Sequence, residues 1–418
     1  MDSILDVYLK NIHAGVLRQD NVGQISFTYN EQYLENKGAQ SLSQSLPLRK
    51  ETFDFRECRA FFSGILPEGE IREIIARKLG ISQRNDFSML ERIGGECAGA
   101  ITFLPPSQKL ISNDYEYRTL STEELGNILK ELPNRPLMAG EKGIRLSLAG
   151  AQNKLAVHKN GEVISIPLGN APSTHILKPS NKRFEGMVFN EALCMGHAAA
   201  IGLNTAKVEI GRVEDTDYIL VERYDRSILS GKNDQYERLH QEDFCQALGI
   251  VSERKYQKEG GPSLKDCFKL LREISNTPLI DLQRLLDMVI FNYVVGNHDA
   301  HGKNFSLLYE AGEKSDEIKV RLAPFYDIVC TDFYPELDKH LAMEIGGKYI
   351  STAILPKHFE KFADDTGLAK RLVKQRVREI AGLIIENIPN STLDHPIAKE
   401  ISDLIIRRAK LAFDQFKS

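Results

Sequence analysis

The amino-acid sequence predicts an α+β protein, with short strands in the first half of the chain and helices in the second. Alternating apolar and polar runs recur at Ile4 to Leu9 and Gln24 to Tyr29, and a hairpin-like pattern runs from Gly143 to Leu168. From about Gln241 onward, apolar residues instead recur every three or four positions, as Leu282, Leu285, Leu286, Val289, Ile290 and Tyr293 do.

The elements follow in order. The first hundred residues combine the two alternating runs with a helical stretch from Glu68 to Leu79, and close on the Gly-rich strand signal IGGECAGAITFLPP. Pro105 and Pro106 mark a boundary. Ser121 and Glu124 then have capping-box spacing before a helix, and IRLSL, KLAVHKNG and EVISIPLG read as successive strands. The helical half includes 369–388 and 396–416 and is interrupted by one hairpin signal, FSLLY followed by KVRLAPFYDIV. The expected domains are 1–105, 106–226 and 227–418.

With 418 residues, 42% of them hydrophobic and 27% charged, the composition is that of a globular protein with a sizeable core. A net charge of -4 and a pI near 6.3 supply no overall basic field for nucleic acid or an anionic membrane. The six cysteines are scattered and form no Cys-x-x-Cys pair, which argues against a zinc cage or a disulfide framework. The N-terminal stretch lacks signal-peptide character, and no run approaches the roughly 18 apolar residues of a membrane span. The expectation is a cytoplasmic protein with reduced thiols and no membrane partner.

The run GNHDAHGKNF (296–305) carries the chemistry. It sets Asp299 and Asn304 five residues apart in a Gly-punctuated loop between a helix and a strand. Phosphoryl transfer needs a carboxylate to orient and deprotonate an attacking hydroxyl, and a neutral carboxamide oxygen to ligate Mg2+. Asp299 suits the first role and Asn304 the second, although an isolated D-x-x-x-x-N is also a common turn. Asp327 closes the hairpin that starts just after Asn304, so it can return to the same point as a second oxygen ligand.

Upstream, the small residues of LSLAGAQNKL (146–155) let backbone amides approach phosphate oxygens closely. Lys178, ending the strand signal THILK, stands where a phosphate lysine would be, and Glu191 is a candidate ion-pair partner for it. VERYDR (221–226) sits where a hinge would bind adenine, placing Glu222 and Tyr224 there; it also reads as a plain edge strand.

Ordered motifs across nearly the whole chain resemble the HipA family of bacterial toxin kinases. They are FFSGILPEGE, IGGECAGAI, SLAGAQNKL, THILKPS, VERYDR, QEDFCQALG, GNHDAHGKNFSLL and LAPFYDIV. The resemblance implies a two-lobed, protein-kinase-like fold with an added N-terminal subdomain, and ATP-dependent phosphorylation of Ser or Thr on proteins. It implies Asp299 as the base, Asn304 and Asp327 on Mg2+, and Lys178 on phosphate. Ala149, Gly150, Ala151, Gln152, Lys154 and His301 fall at further nucleotide positions, and Ser147 at the family's silencing autophosphorylation site. It also implies a HipB-like helix-turn-helix antitoxin, operator DNA reached through that antitoxin, and a protein substrate such as an aminoacyl-tRNA synthetase, glutamyl-tRNA synthetase being the known type.

Two other readings stand beside this one. A metal-dependent phosphohydrolase would use His298, Asp299 and His301 as ligands. A catalytically silent co-repressor would dock on an antitoxin and DNA; the intact set of candidate catalytic residues argues against it.

Overall fold

The computed structural model describes all residues except 1–2, 109, 111–114, 182, 229–235, 313–316, 389–392, 394 and 417–418. The chain forms two compact units that interleave in sequence. The first comprises Met1–Pro179, Gly211–Glu253 and Leu307–Lys319; the second comprises Ser180–Ile210, Arg254–Ser306 and Val320–Ser418.

The first unit is built on two antiparallel sheets. A four-stranded sheet has the order Ile25–Tyr29, Ile12–Gln19, Ser3–Leu9, Ile101–Leu104. The alternation predicted for two of these strands is borne out: Leu5, Val7 and Leu9 point into a core with Phe27, Phe53, Phe61 and Phe62. Strand Ile12–Gln19 is an addition to the expected elements. The helix expected over 68–79 forms as Gly69–Leu79 and ends on Gly80 in the left-handed region at φ 67°.

The other sheet runs Tyr117–Thr119, Val163–Pro167, Leu155–Asn160, His175–Pro179, Thr216–Glu222, Val208–Val213. Ser121 and Glu124 make both bonds of the expected capping box ahead of helix Thr122–Glu131. Two readings fail here. IRLSL is not a strand: Leu146 makes one parallel bridge to Glu96, so the small-residue loop does not join two strands of a hairpin. The strand that ends at Glu222 is also not an edge, because it lies between two others.

VERYDR differs from a plain strand end in a second way. Arg223, Asp225 and Arg226 are buried: the two arginines and Arg238 pair with Glu96 of the IGGECAGAI motif, and Asp225 pairs with Arg223 and Arg226. Glu96 also accepts from the backbone N–H and the hydroxyl of Ser173 at 3.0 and 2.8 Å. Burial alone would raise its carboxyl, but Arg226, Arg238 and Arg223 together hold it below its ordinary range.

The second unit is helical. Pro278–Val295, whose apolar periodicity is plain in the sequence, packs against Leu264–Ile274, Lys370–Asn387 and Pro396–Gln415. Proline at the first turn of Pro278–Val295 costs no hydrogen bond, and Gly296 stops the helix at φ 78°. All six cysteines are buried free thiols. Among the described residues, no helix is long and apolar enough to cross a membrane.

Candidate active site

In the second unit the chain leaves helix Pro278–Val295 into the loop that carries Asp299. Glycine is required at this exit: a Cβ on Gly296 would lie 2.8 Å from the Asp332 Cβ, on a left-handed backbone. Arg408 clamps the exit by bonding the carbonyls of Tyr293 and Val294 and pairing with Asp332 at 2.8 Å. The loop is pinned further by the His298 N–H on Thr331 Oγ1 at 2.8 Å, and by the Asn297 amide on Asn292 at 3.0 Å. The Ala342 N–H donates to the His298 carbonyl at 2.8 Å.

This scaffold buries His298, His301, Lys303 and Asn304 but leaves Asp299 exposed. Burial pushes His298 down to about 4 and His301 well below its ordinary value, so both rings are neutral near pH 7. His298 Nε2 meets Ser351 Oγ at 3.1 Å. The His298–Asp299–His301 ligand set of a phosphohydrolase does not form; among the described residues, no group of three or more His, Cys, Asp and Glu side chains could hold a metal ion.

The structure brings Asn304 and Asp327 together: Asn304 Nδ2 donates to Asp327 Oδ2 at 3.3 Å. Asp327 sits at φ 59°, a left-handed conformation uncommon for a residue with a side chain, and it is held there from both sides. Before it, Phe325 makes backbone bonds with Asn204 and Ala206 at 2.8 Å each; after it, Cys330 exchanges bonds with the buried Asn190 side chain at 2.8 and 3.1 Å. The motif FNEALC thus supplies Asn190 as well as the buried Glu191.

Asn304 Oδ1 is buried and has no hydrogen-bond partner among the described residues. A buried carboxamide oxygen left unpaired next to a carboxylate is costly unless something cationic takes it up. This pair of oxygen ligands fits Mg2+, which is held by one or two protein oxygens together with phosphates and water.

One residue of the site is not legible in the sequence. Tyr256 Oη donates to Asp299 Oδ1 at 2.8 Å, and its ring stands edge-on to His301 with centroids 5.3 Å apart. Its one local signal is the glycine pair that follows it in KYQKEGG.

The remaining candidates lie in the first unit. Ser147 is fully buried, donating from Oγ to the Ile65 carbonyl at 3.0 Å. Gly150 has φ 101°, which favours glycine, and its carbonyl accepts from the Glu68 N–H at 3.1 Å. Motif 61–70 therefore fastens loop 147–150. Lys154 Nζ donates to the Ala149 carbonyl at 2.8 Å; Gln152 is half-buried and Ala151 exposed. Lys178 is buried in strand His175–Pro179, opposite Ile219. Glu222 is exposed, and the Tyr224 hydroxyl donates to Gln241.

Comparison with known proteins places this geometry in a family. Residues 146–388 match the HipA-like C-terminal domain and residues 5–104 the HipA N-terminal domain. A protein of Sinorhizobium fredii named putative kinase Y4mE is 41% identical over 419 residues, covering 98% of each chain. The serine/threonine-protein kinase toxin HipA of Shewanella oneidensis is 29% identical over 403 residues, covering 94% of this chain and 90% of its own. The solved Shewanella HipA, in complex with HipB and its operator DNA, superposes with a TM-score of 0.85 at 27% identity, covering 99% of this chain and 98% of that one. The α+β fold expected from sequence is thus that of HipA, and the chain belongs to the HipA family.

Proposed function

We propose that the chain is an ATP-dependent protein serine/threonine kinase of a toxin–antitoxin module. The observation that carries this reading is the meeting of Asn304 and Asp327, with the buried Asn304 Oδ1 left unpaired, next in sequence to a loop that exposes a carboxylate. Asp299 would accept the proton of a Ser or Thr hydroxyl as that oxygen bonds to the γ-phosphorus and the bond to the departing ADP oxygen breaks. Asn304 and Asp327 would hold Mg2+, which when bound offsets the charge of the phosphates.

In the first unit, the amides of Ala149, Gly150, Ala151 and Gln152 and the ammonium groups of Lys154 and Lys178 would contact phosphate oxygens. Glu222 and Tyr224 would meet adenine, and His301 is a further nucleotide contact. Ser147 is the proposed site of self-phosphorylation and inactivation. The Shewanella complex with HipB and DNA supports a HipB-like helix-turn-helix antitoxin as partner, with operator DNA reached through it. A protein such as an aminoacyl-tRNA synthetase is the proposed substrate class, and the cytoplasm the proposed location.

Intact-mass spectrometry after incubation with Mg-ATP tests the reading. Wild-type protein should gain phosphate and Asp299→Asn protein should gain it far more slowly. No gain in the wild type, or equal gain in both, would overturn it.

A further inference from the structure

Tyr256 approaches Asp299 from outside the catalytic loop, and the way it is held is specific. Its carbonyl accepts from the N–H groups of Glu259 and Gly261, both at 2.9 Å, which closes a tight turn. Only glycines fit that turn: Gly260 sits at φ 92°, and a Cβ on Gly261 would lie 2.4 Å from the Arg254 carbonyl oxygen. The neighbouring Gln257 accepts through Oε1 from the Glu344 N–H at 2.9 Å, in strand His340–Ile345. That same strand bonds the catalytic loop through Ala342 and His298. The phenol is thus tied through one strand to the loop whose carboxylate it meets, and the His301 ring backs it edge-on.

We infer that Tyr256 is a positioning residue for the phosphoryl-transfer reaction: its hydroxyl fixes the rotamer of Asp299 by holding Oδ1, so that the other carboxylate oxygen is presented to the substrate hydroxyl. The inference rests on the kinase reading above. Asp299 is exposed on a loop, where each contact to its carboxylate narrows the rotamers it can adopt. Tyr256 acts through Asp299 and carries no proton itself, so removing its hydroxyl should lower the rate at saturation and leave ATP binding alone.

The test is a double-mutant cycle on the full chain, with Mg-ATP as the only added substrate and phosphate gain followed by intact mass. Four proteins are compared: wild type, Tyr256→Phe, Asp299→Asn and the double variant. Tyr256→Phe should keep the wild-type unfolding midpoint and Mg-ATP affinity while its saturated rate falls by up to about a hundredfold, the scale of a misplaced catalytic group. In the Asp299→Asn background the same change should have no further effect. Gln257→Ala, which loosens the anchor and leaves the hydroxyl in place, should lower the saturated rate by less. A Tyr256→Phe enzyme as fast as wild type, an equal loss in both backgrounds, or a loss explained by weaker ATP binding would overturn the inference while leaving the kinase reading intact. A wild-type protein that transfers no phosphate would overturn both.

Discussion

Ser147 donates its hydroxyl to the Ile65 carbonyl at 3.0 Å and has no exposed surface. Its N–H donates to the Glu96 carbonyl at 2.9 Å, and the loop that follows is tied back to the same motif, where Pro67 forms a parallel bridge with Gly150 and the Glu68 N–H bonds the Gly150 carbonyl at 3.1 Å. A hydroxyl enclosed in this way cannot meet a phosphoryl donor, so self-phosphorylation at Ser147 requires the loop to open first.

Once modified, Ser147 would carry about -1.5 to -2 charges, which cannot return to a buried site facing a carbonyl oxygen. Ser147→Ala protein should therefore show no self-phosphorylation. Wild-type protein pre-incubated with Mg-ATP should lose affinity for fresh nucleotide in calorimetry, and the Ala variant should not. The Ala variant should also lose about 1–3 kcal/mol of stability, because the buried Ile65 carbonyl loses its donor. Peptide mapping that places the phosphate elsewhere would refute the assignment.

Asp327 can be tested without disturbing the backbone, because asparagine also tolerates the left-handed conformation that the residue adopts at φ 59°. Asp327→Asn should fold normally and weaken Mg-ATP binding by about tenfold or more, equivalent to about 1.4 kcal/mol. Asp327→Ala should lose the same affinity and also some stability, since alanine adopts that conformation at a strain cost with no local hydrogen bond to offset it. Calorimetry and urea unfolding on the two variants separate the effects, and unchanged affinity in Asp327→Asn would count against a metal-holding role.

The parts of this fold legible in the sequence are those whose pattern is local. Helix Pro278–Val295 shows its buried stripe every three or four residues, and the spacing of Asp299, Asn304 and Asp327 follows one loop and one hairpin. Strand Ile12–Gln19 is harder to see, because the ladder shifts register between Val7 and Tyr8 and the alternation is broken. IRLSL has a strand pattern but makes only one bridge, to Glu96. Tyr256 meets Asp299 across 43 residues, and Arg223 and Arg226 meet Glu96 across 127 and 130. No local periodicity encodes such pairings, and charged residues in a sequence read first as solvated.

The Glu96 cluster predicts a large stability effect far in sequence from the loop that carries Asp299. Removing one partner of a buried ion pair leaves the others uncompensated, at a cost of about 3–5 kcal/mol. Glu96→Gln leaves Arg223, Arg226 and Arg238 without their shared carboxylate and should fall in that range by urea unfolding. A loss below about 1 kcal/mol, the scale of a surface pair, would show that the cluster is solvated in solution.

Glu242 predicts a pH dependence of the opposite sign to the usual carboxylate. It is buried, accepts from Ser43, from the Gln44 N–H at 2.9 Å and from Tyr309, and burial raises its carboxyl to about 7 despite those bonds. Between its ordinary value of 4.5 and about 7, the folded protein holds a proton that the unfolded chain has released. Stability from this group is therefore fully present below 4.5 and declines as pH rises through about 7, by roughly 1.4 kcal/mol per unit at most. The buried His240, lowered to about 4, acts in the other direction, its contribution being lost as pH falls below its ordinary 6.5. Comparing wild type with Glu242→Gln isolates the carboxyl, because the histidine contribution is common to both. Urea unfolding at about pH 5 and about pH 8 should show the wild type losing stability relative to the Gln variant at the higher pH, by about 2.5 kcal/mol. A difference between the two proteins that stays constant across that range would mean that Glu242 is ionised in the folded state throughout.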